Sequence, residues 1–152
     1  MSAAVESSLR AAQWSKFASE ASSRFSNRLE FQPRSATPFA PQLAFQAGDG
    51  GVALSKTVMP ALRITNHGNS RPEPFFQIAS LDHESVLVTT QGTLKLAPGE
   101  FVVCKPEMAG EWTVDKPYTA VAIHIGESLV RRHVADPLAL VGTELQRQVL
   151  IG

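Results

Sequence analysis

Ten short runs of apolar, β-branched and aromatic residues recur along most of this sequence, and their spacing limits the possible folds more than any other feature. The runs lie roughly ten residues apart, and Pro, Gly, Asn or Asp separates many of them. Short strands divided in this way by turn residues are typical of β-sandwiches and β-barrels. We therefore predict strands at 25–31, 42–46, 52–58, 62–65, 74–79, 84–90, 93–97, 101–105, 111–114 and 118–125.

The first residues have a different composition, rich in Ala, Ser and Glu. Leu9, Trp14 and Phe17 follow helical spacing there only roughly, which favours a short amphipathic helix or a loose arm. We expect this segment, residues 1–24, to precede one folded domain at residues 25–152.

Helical spacing of apolar residues returns after residue 125. Leu129, Val130 and Val134 indicate one short helix, and Pro137 is suited to the first position of a second. The prediction is therefore an all-β barrel of the jelly-roll type followed by two short C-terminal helices. The apolar residues after Pro137 exceed what one buried helix face needs, so we predict a homodimer interface there. Its expected members are Leu138, Val141, Leu145 and Val149.

The overall composition bounds the class of protein. With 152 residues, 43% of them hydrophobic and 18% charged, the chain can form one globular core. The net charge is zero, which argues against binding of nucleic acid or an anionic membrane by bulk electrostatics. One cysteine, no apolar stretch long enough to span a bilayer and no signal-peptide pattern together predict a reduced, cytoplasmic protein without a membrane partner.

Residues with obvious catalytic chemistry are sparse. The four histidines, His67, His83, His124 and His133, include no pair at chelating distance in sequence, so we predict no metal. Cys104 lies in an apolar run and is interpreted as a core residue. With no nucleophile elbow and no phosphate-binding glycine loop, we predict neither a cofactor nor catalytic residues, and thus no enzyme.

Basic residues are concentrated in the first half of the chain. Residues 1–72 hold eight basic and four acidic side chains, a net of +4. Guanidinium groups four residues apart share a face in a strand or a helix, and guanidinium forks suit phosphates. A polar cluster some forty residues later adds hydroxyl and imidazole donors. We predict an anionic ligand held by Arg24, Arg28, Thr65, His67 and Arg71.

Two segments resemble the cupin-like N-terminal domain of AraC-type transcriptional regulators. The run QGTLKLAPGEFVV (91–103) is similar to that family's hairpin, Pro-Gly turn and following strand, and IGESLVRRHVADP (125–137) is similar to its passage from strand to helix. Gly126 stands where a proline is common. The resemblance covers residues 25–152. It implies a domain that senses a small ligand and dimerises, with DNA bound only by a separate C-terminal helix-turn-helix domain.

A second resemblance concerns the ligand. The Arg-x-x-x-Arg spacing of Arg24 and Arg28 is similar to the arginine pair by which PilZ domains hold cyclic di-GMP. The second PilZ element, Asp or Asn-x-Ser-x-x-Gly, is not matched, because TNHGNSR (65–71) has a similar composition in another order. Cyclic di-GMP is therefore the first candidate effector. The alternatives are a sugar or an aromatic acid in an interior barrel pocket or, in another class, a small cupin enzyme or isomerase.

Overall fold

The computed structural model describes residues 2–25, 28–34, 40–68, 75–90, 92–105 and 109–141. Within these ranges lie ten β-strands, two α-helices and two 3-10 turns, one at Asp49–Gly51 and the other at Pro137–Leu140. The helices are α1 (Ala3–Phe25) and α2 (Glu127–His133). The strands are β1 (Leu29–Pro33), β2 (Gln42–Ala47), β3 (Val52–Met59), β4 (Leu62–Asn66), β5 (Phe75–Leu81), β6 (Ser85–Thr89), β7 (Gly92–Leu96), β8 (Phe101–Cys104), β9 (Gly110–Val114) and β10 (Tyr118–Gly126).

The strands form two five-stranded sheets, and every paired strand is antiparallel to its neighbour. The first sheet has the order β1-β4-β9-β6-β7 and the second has the order β2-β3-β10-β5-β8. Most connections cross from one sheet to the other, so the chain winds around a shared interior as in jelly rolls. The predicted all-β, jelly-roll barrel is confirmed.

Each predicted strand overlaps an observed strand, but the predicted start of the first strand was wrong. Residues 25–31 were expected to be extended, whereas Phe25 ends α1 and β1 begins at Leu29. An apolar residue at the end of a helix looks, from local pattern alone, like the first residue of an apolar strand. At the other end of the chain, α2 agrees with the first predicted helix. The second is a 3-10 turn over its described residues, and its remainder lies outside the described ranges.

Helix α1 is longer than expected and packs on the barrel. The Ser2 hydroxyl accepts a hydrogen bond from the Val5 backbone N–H at 3.3 Å, which caps the first turn of the helix. Trp14 and Phe17 lie one turn apart and contact Phe31 of β1 with ring centroids 6.0 and 5.3 Å apart. Ser22 accepts a hydrogen bond from the Leu29 N–H at 3.1 Å, which ties the end of α1 to β1. This segment is therefore a packed part of the domain.

Apolar side chains close one end of the barrel. Trp14 of α1 joins a buried cluster formed by inward-facing residues of both sheets. Its other buried members are Met59, Leu62, Leu81, Val114 and Tyr118. A second cluster of smaller residues continues toward the middle of the barrel, and it contains Ala79, Leu87, Leu96, Val102 and Ala122. The interior is thus densely filled at the α1 end and lined by smaller side chains further along.

The outer face of the second sheet is covered over one half. Phe76 and Val103 pack there against Val141, with Val130 of α2 beside them. On the other half, Leu54, Val121 and Ile123 remain exposed. Over the described residues, no helix is long and apolar enough to cross a membrane.

Candidate functional site

A cavity of about 170 Å³ lies inside the barrel between the two sheets. Its wall combines inward-facing residues of both sheets with residues near the C-terminal side of β8. The lining residues are Leu29, Ser55, Thr57, Ile64, Asn66, Gln77, Ala79, Leu81, Leu87, Thr89, Val103, Cys104, Lys105, Gly110, Trp112, Tyr118, Ala120, Ala122 and Val141.

The cavity exists because strand alternation places alanines in the interior. Ala120 and Ala122 of β10 line it, while Val121 between them points outward and is 48% exposed. Ala79 of β5 lies opposite Ala122 in the sheet register and also lines the cavity. Methyl side chains at these central positions leave open the volume that Leu or Phe would occupy.

Polar side chains lie at the end of the barrel opposite the buried cluster that contains Trp14 of α1. In the first sheet, Asn66, Gly110 and Thr89 lie in register across β4, β9 and β6. In the second sheet, Gln77 lies opposite Cys104. The cavity is therefore amphipathic, with an apolar closed end and a polar end where amide and hydroxyl groups could contact a ligand.

A buried Ser–His pair lies beside this polar end. Ser55 Oγ and His124 Nε2 are 3.0 Å apart, and both side chains are buried. The His124 ring also contacts Phe45, with ring centroids 5.8 Å apart. Ser55 lines the cavity, so this hydrogen bond fixes a polar group in the cavity wall.

Two ionisable groups in the wall are held neutral by burial. Burial raises the pKa of the Cys104 thiol to about 12, and burial also raises the pKa of the Tyr118 hydroxyl. At neutral pH the Cys104 thiol is therefore protonated, and protonated thiols are poor nucleophiles. This agrees with the interpretation of Cys104 as a core residue.

A charged group joins the cavity wall to α2. The Lys105 side chain is only 6% exposed, and its Nζ lies 3.5 Å from Glu127 Oε1 and 4.7 Å from the centre of the Phe76 ring. The same Glu127 oxygen accepts hydrogen bonds from Arg131 Nη2 at 2.8 Å and from Arg131 Nε at 3.2 Å. The hydrogen bond from Arg131 is the main reason that the pKa of Glu127 is lowered, and Lys105 acts in the same direction. Lys105 was not predicted from the sequence, because an isolated lysine after a strand carries no motif.

The structure brings together three of the residues predicted to bind an anion. The Arg28 N–H donates a hydrogen bond to the Gly68 carbonyl at 3.0 Å, and the His67 N–H donates one to the Arg28 carbonyl at 2.8 Å. Thr65 lies on β4, two residues before His67. Arg24 lies in the last turn of α1 and Arg28 lies between α1 and β1, so the two arginines do not share one face of a strand or helix, although their spacing predicts a shared face. Arg71 lies outside the described residues.

Acidic residues from neighbouring strands share this surface. Thr65 lies between Glu30 and Glu111 in the sheet register. His67 Nε2 lies 3.1 Å from Glu30 Oε2, and Arg63 Nε lies 3.5 Å from Glu111 Oε1. Part of the positive charge counted from the sequence is thus opposed by carboxylates across the strands, although an exposed ion pair contributes little to stability.

The four residues predicted to form a dimer interface differ in their positions. Val141 is 6% exposed and packs on Phe76 and Val103 of its own chain, so little of its surface is left for a second chain. Leu138 is 49% exposed. Leu145 and Val149 lie outside the described residues. Dimerisation stays a prediction.

In the part of the chain that the structure describes, no group of three or more His, Cys, Asp or Glu side chains could hold a metal ion. The sequence matches no protein-family model, and a search of curated proteins finds no match.

Comparison with solved structures gives similar folds. The AraC-like transcriptional activator CuxR has a TM-score of 0.58 and 12% sequence identity over 68% of this chain and 41% of that one. A cupin-like protein from Thermotoga maritima has a TM-score of 0.46 and 15% identity over 65% of this chain and 74% of that one. A cupin domain of an XRE family transcriptional regulator from Enterobacter cloacae has a TM-score of 0.46 and 7% identity over 57% of this chain and 97% of that one.

The chain has a cupin-like fold. The two antiparallel sheets and the similarity to the AraC-like activator confirm this part of the prediction. The chain spans 41% of that activator's length, and an identity of 12% shows a shared fold alone. The resemblances to AraC-type regulators and to PilZ domains in function therefore stay predictions.

Proposed function

We propose that this domain senses a small-molecule effector, which binds in the barrel cavity without being chemically changed. The observation that carries the proposal is the amphipathic interior cavity of about 170 Å³. An apolar protein cavity of ~150 Å³ holds benzene, so the volume suits a single ring or a short chain. A sugar or an aromatic acid, each with one ring, is of this size.

A role in transcriptional regulation is the second part of the proposal. It is supported by the fold that the chain shares with an AraC-like activator. In such a regulator this chain would bind the effector, and a helix-turn-helix domain outside it would bind DNA. We also propose a homodimer in which the exposed Leu138 takes part. Sedimentation showing a monomer with and without ligand would contradict the dimer.

The test of effector sensing is a thermal-shift screen of the purified chain with single-ring sugars, aromatic acids and neutral aromatic compounds. A compound that binds only the folded state raises the melting temperature as its concentration rises. We expect such a shift for at least one of these classes, and its absence for all of them would contradict the proposal. A metal bound at one equivalent per chain, measured by elemental analysis of the same preparation, would instead favour the cupin enzyme or isomerase.

Cyclic di-GMP bound at the surface is a second candidate. It is favoured by the backbone hydrogen bonds that hold Arg28 beside His67, with Arg24 at the nearby end of α1. A dinucleotide with two guanines is far larger than the cavity, so it would have to lie outside the barrel. The carboxylates of Glu30 and Glu111 count against this surface as an anion site, because they already face its basic groups.

Replacing Arg28 by alanine separates the two candidates. If cyclic di-GMP is the effector, Arg28→Ala should weaken its binding by roughly ten- to a hundredfold, since a charge-assisted hydrogen bond is lost. Calorimetric titration measures this, and Arg34→Ala, which removes an exposed arginine paired with Asp115, is the control. If the wild-type chain gives no heat at hundreds of micromolar cyclic di-GMP, this candidate is rejected.

A further inference from the structure

The cavity reaches beyond the barrel interior to the surface on which the C-terminal segment packs. Val103 and Val141 belong to the cluster on the outer face of the second sheet, yet both also line the cavity. Strand β8 is the edge strand of that sheet, so the cavity extends to this edge. A molecule that filled it would touch residues of the barrel and of the segment that follows α2.

Lys105 lies where these two regions meet. It follows β8, lines the cavity, and is held near Glu127 at the start of α2. A lysine buried in a cavity wall is costly unless its charge is compensated. In the structure Glu127 contributes to this compensation at a distance of 3.5 Å, which is longer than a good charge-assisted hydrogen bond.

We propose, on the basis of the proposed function, that the effector carries one anionic group, such as a carboxylate, which binds Lys105 in place of Glu127. The exchange is feasible because Arg131 binds the same Glu127 oxygen at 2.8 Å and continues to compensate that carboxylate when Lys105 moves away. The exchange removes a contact between the barrel and α2. Effector binding would then loosen α2 and the segment that packs through Val141.

Benzoate and benzamide are suitable probes, because they have nearly the same shape and differ in charge. Calorimetry and NMR titration of the intact chain, at concentrations on the order of 10 mM, should show benzoate binding at least about tenfold more tightly than benzamide. Lys105→Met keeps an unbranched side chain of similar length, removes the ammonium group, and should reduce benzoate affinity to that of benzamide. Lys56→Met, at an exposed position on β3, is the control and should change neither affinity.

Glu127→Gln should have the opposite effect on benzoate affinity to Lys105→Met. The proposal therefore does not depend on the folding of one variant. Removing the competing carboxylate should strengthen benzoate binding several-fold and leave benzamide binding unchanged. Hydrogen exchange in α2 should become faster with benzoate and not with benzamide. Equal affinities for the two probes, or an unchanged benzoate affinity in Glu127→Gln, overturn the anionic-effector proposal alone. Failure of both probes to bind also overturns this inference, whereas the proposed function is contradicted only if no class of compound in the thermal-shift screen binds.

Discussion

Trp14→Ala is expected to destabilise the domain by about 3 to 5 kcal/mol, the usual cost of replacing a large buried aromatic residue by alanine. Trp14 is 7% exposed and packs with Met59 and Leu62 at the closed end of the barrel. It also contacts Phe17 and Phe31 with ring centroids 5.9 and 6.0 Å apart. Urea unfolding followed by circular dichroism measures the change in the free energy of unfolding.

The matched control is Leu9→Ala on the same helix. Leu9 is 49% exposed, so its replacement should change the free energy of unfolding by no more than about 0.5 kcal/mol. If Trp14→Ala is as mild as Leu9→Ala, α1 is a loose arm and does not close the barrel.

Ala122→Phe is expected to abolish binding of single-ring compounds in the barrel. Ala122 lines the cavity, and a phenyl ring placed there would fill about the volume of one benzene molecule. The affinity for any compound found to bind should fall by more than about tenfold, as calorimetry would show. Overpacking costs about 1 to 3 kcal/mol in folding stability, so circular dichroism must first establish that the variant is folded.

Val121→Phe is the control for this variant. It places the same ring on the neighbouring residue of β10, whose side chain points to solvent. Binding in this variant should equal that of the wild type. Wild-type affinity in Ala122→Phe would place the ligand outside the barrel.

The strands could be predicted from the sequence because each carries a local signal. In β10, buried Tyr118, Ala122 and His124 alternate with exposed Val121 and Ile123, which is the period of two that a strand requires. The packing of α1 was harder to predict. Its buried face is narrow, since Trp14 and Ala21 are the buried residues of the helix among those described.

The cavity could not be predicted from the sequence because its wall comes from strands that are distant along the chain. Ala79 and Ala122 are small residues in two apolar runs, and nothing local shows that they lie side by side on adjacent strands and line one interior. Only the sheet register reveals that their small size leaves volume for a ligand.

The charged surface was predicted incompletely for the same reason. The sequence shows Arg63 and His67 close to each other, but the partners that reduce their charge are Glu111 and Glu30, each from another strand. Lys105 and Glu127 are also brought together only by the packing of α2 on the second sheet. Counting charges along the chain identifies basic segments and cannot identify the acids opposite them.

The central claim, that the effector binds inside the barrel, is tested most directly by NMR. Backbone and methyl resonances of the isotope-labelled chain would be followed while a compound selected by the thermal-shift screen is added. We expect the largest shifts at Ala79, Ala122 and Trp112, which line the cavity from both sheets. Shifts confined to the surface around Arg28 and His67, with the cavity residues unchanged, would contradict the claim.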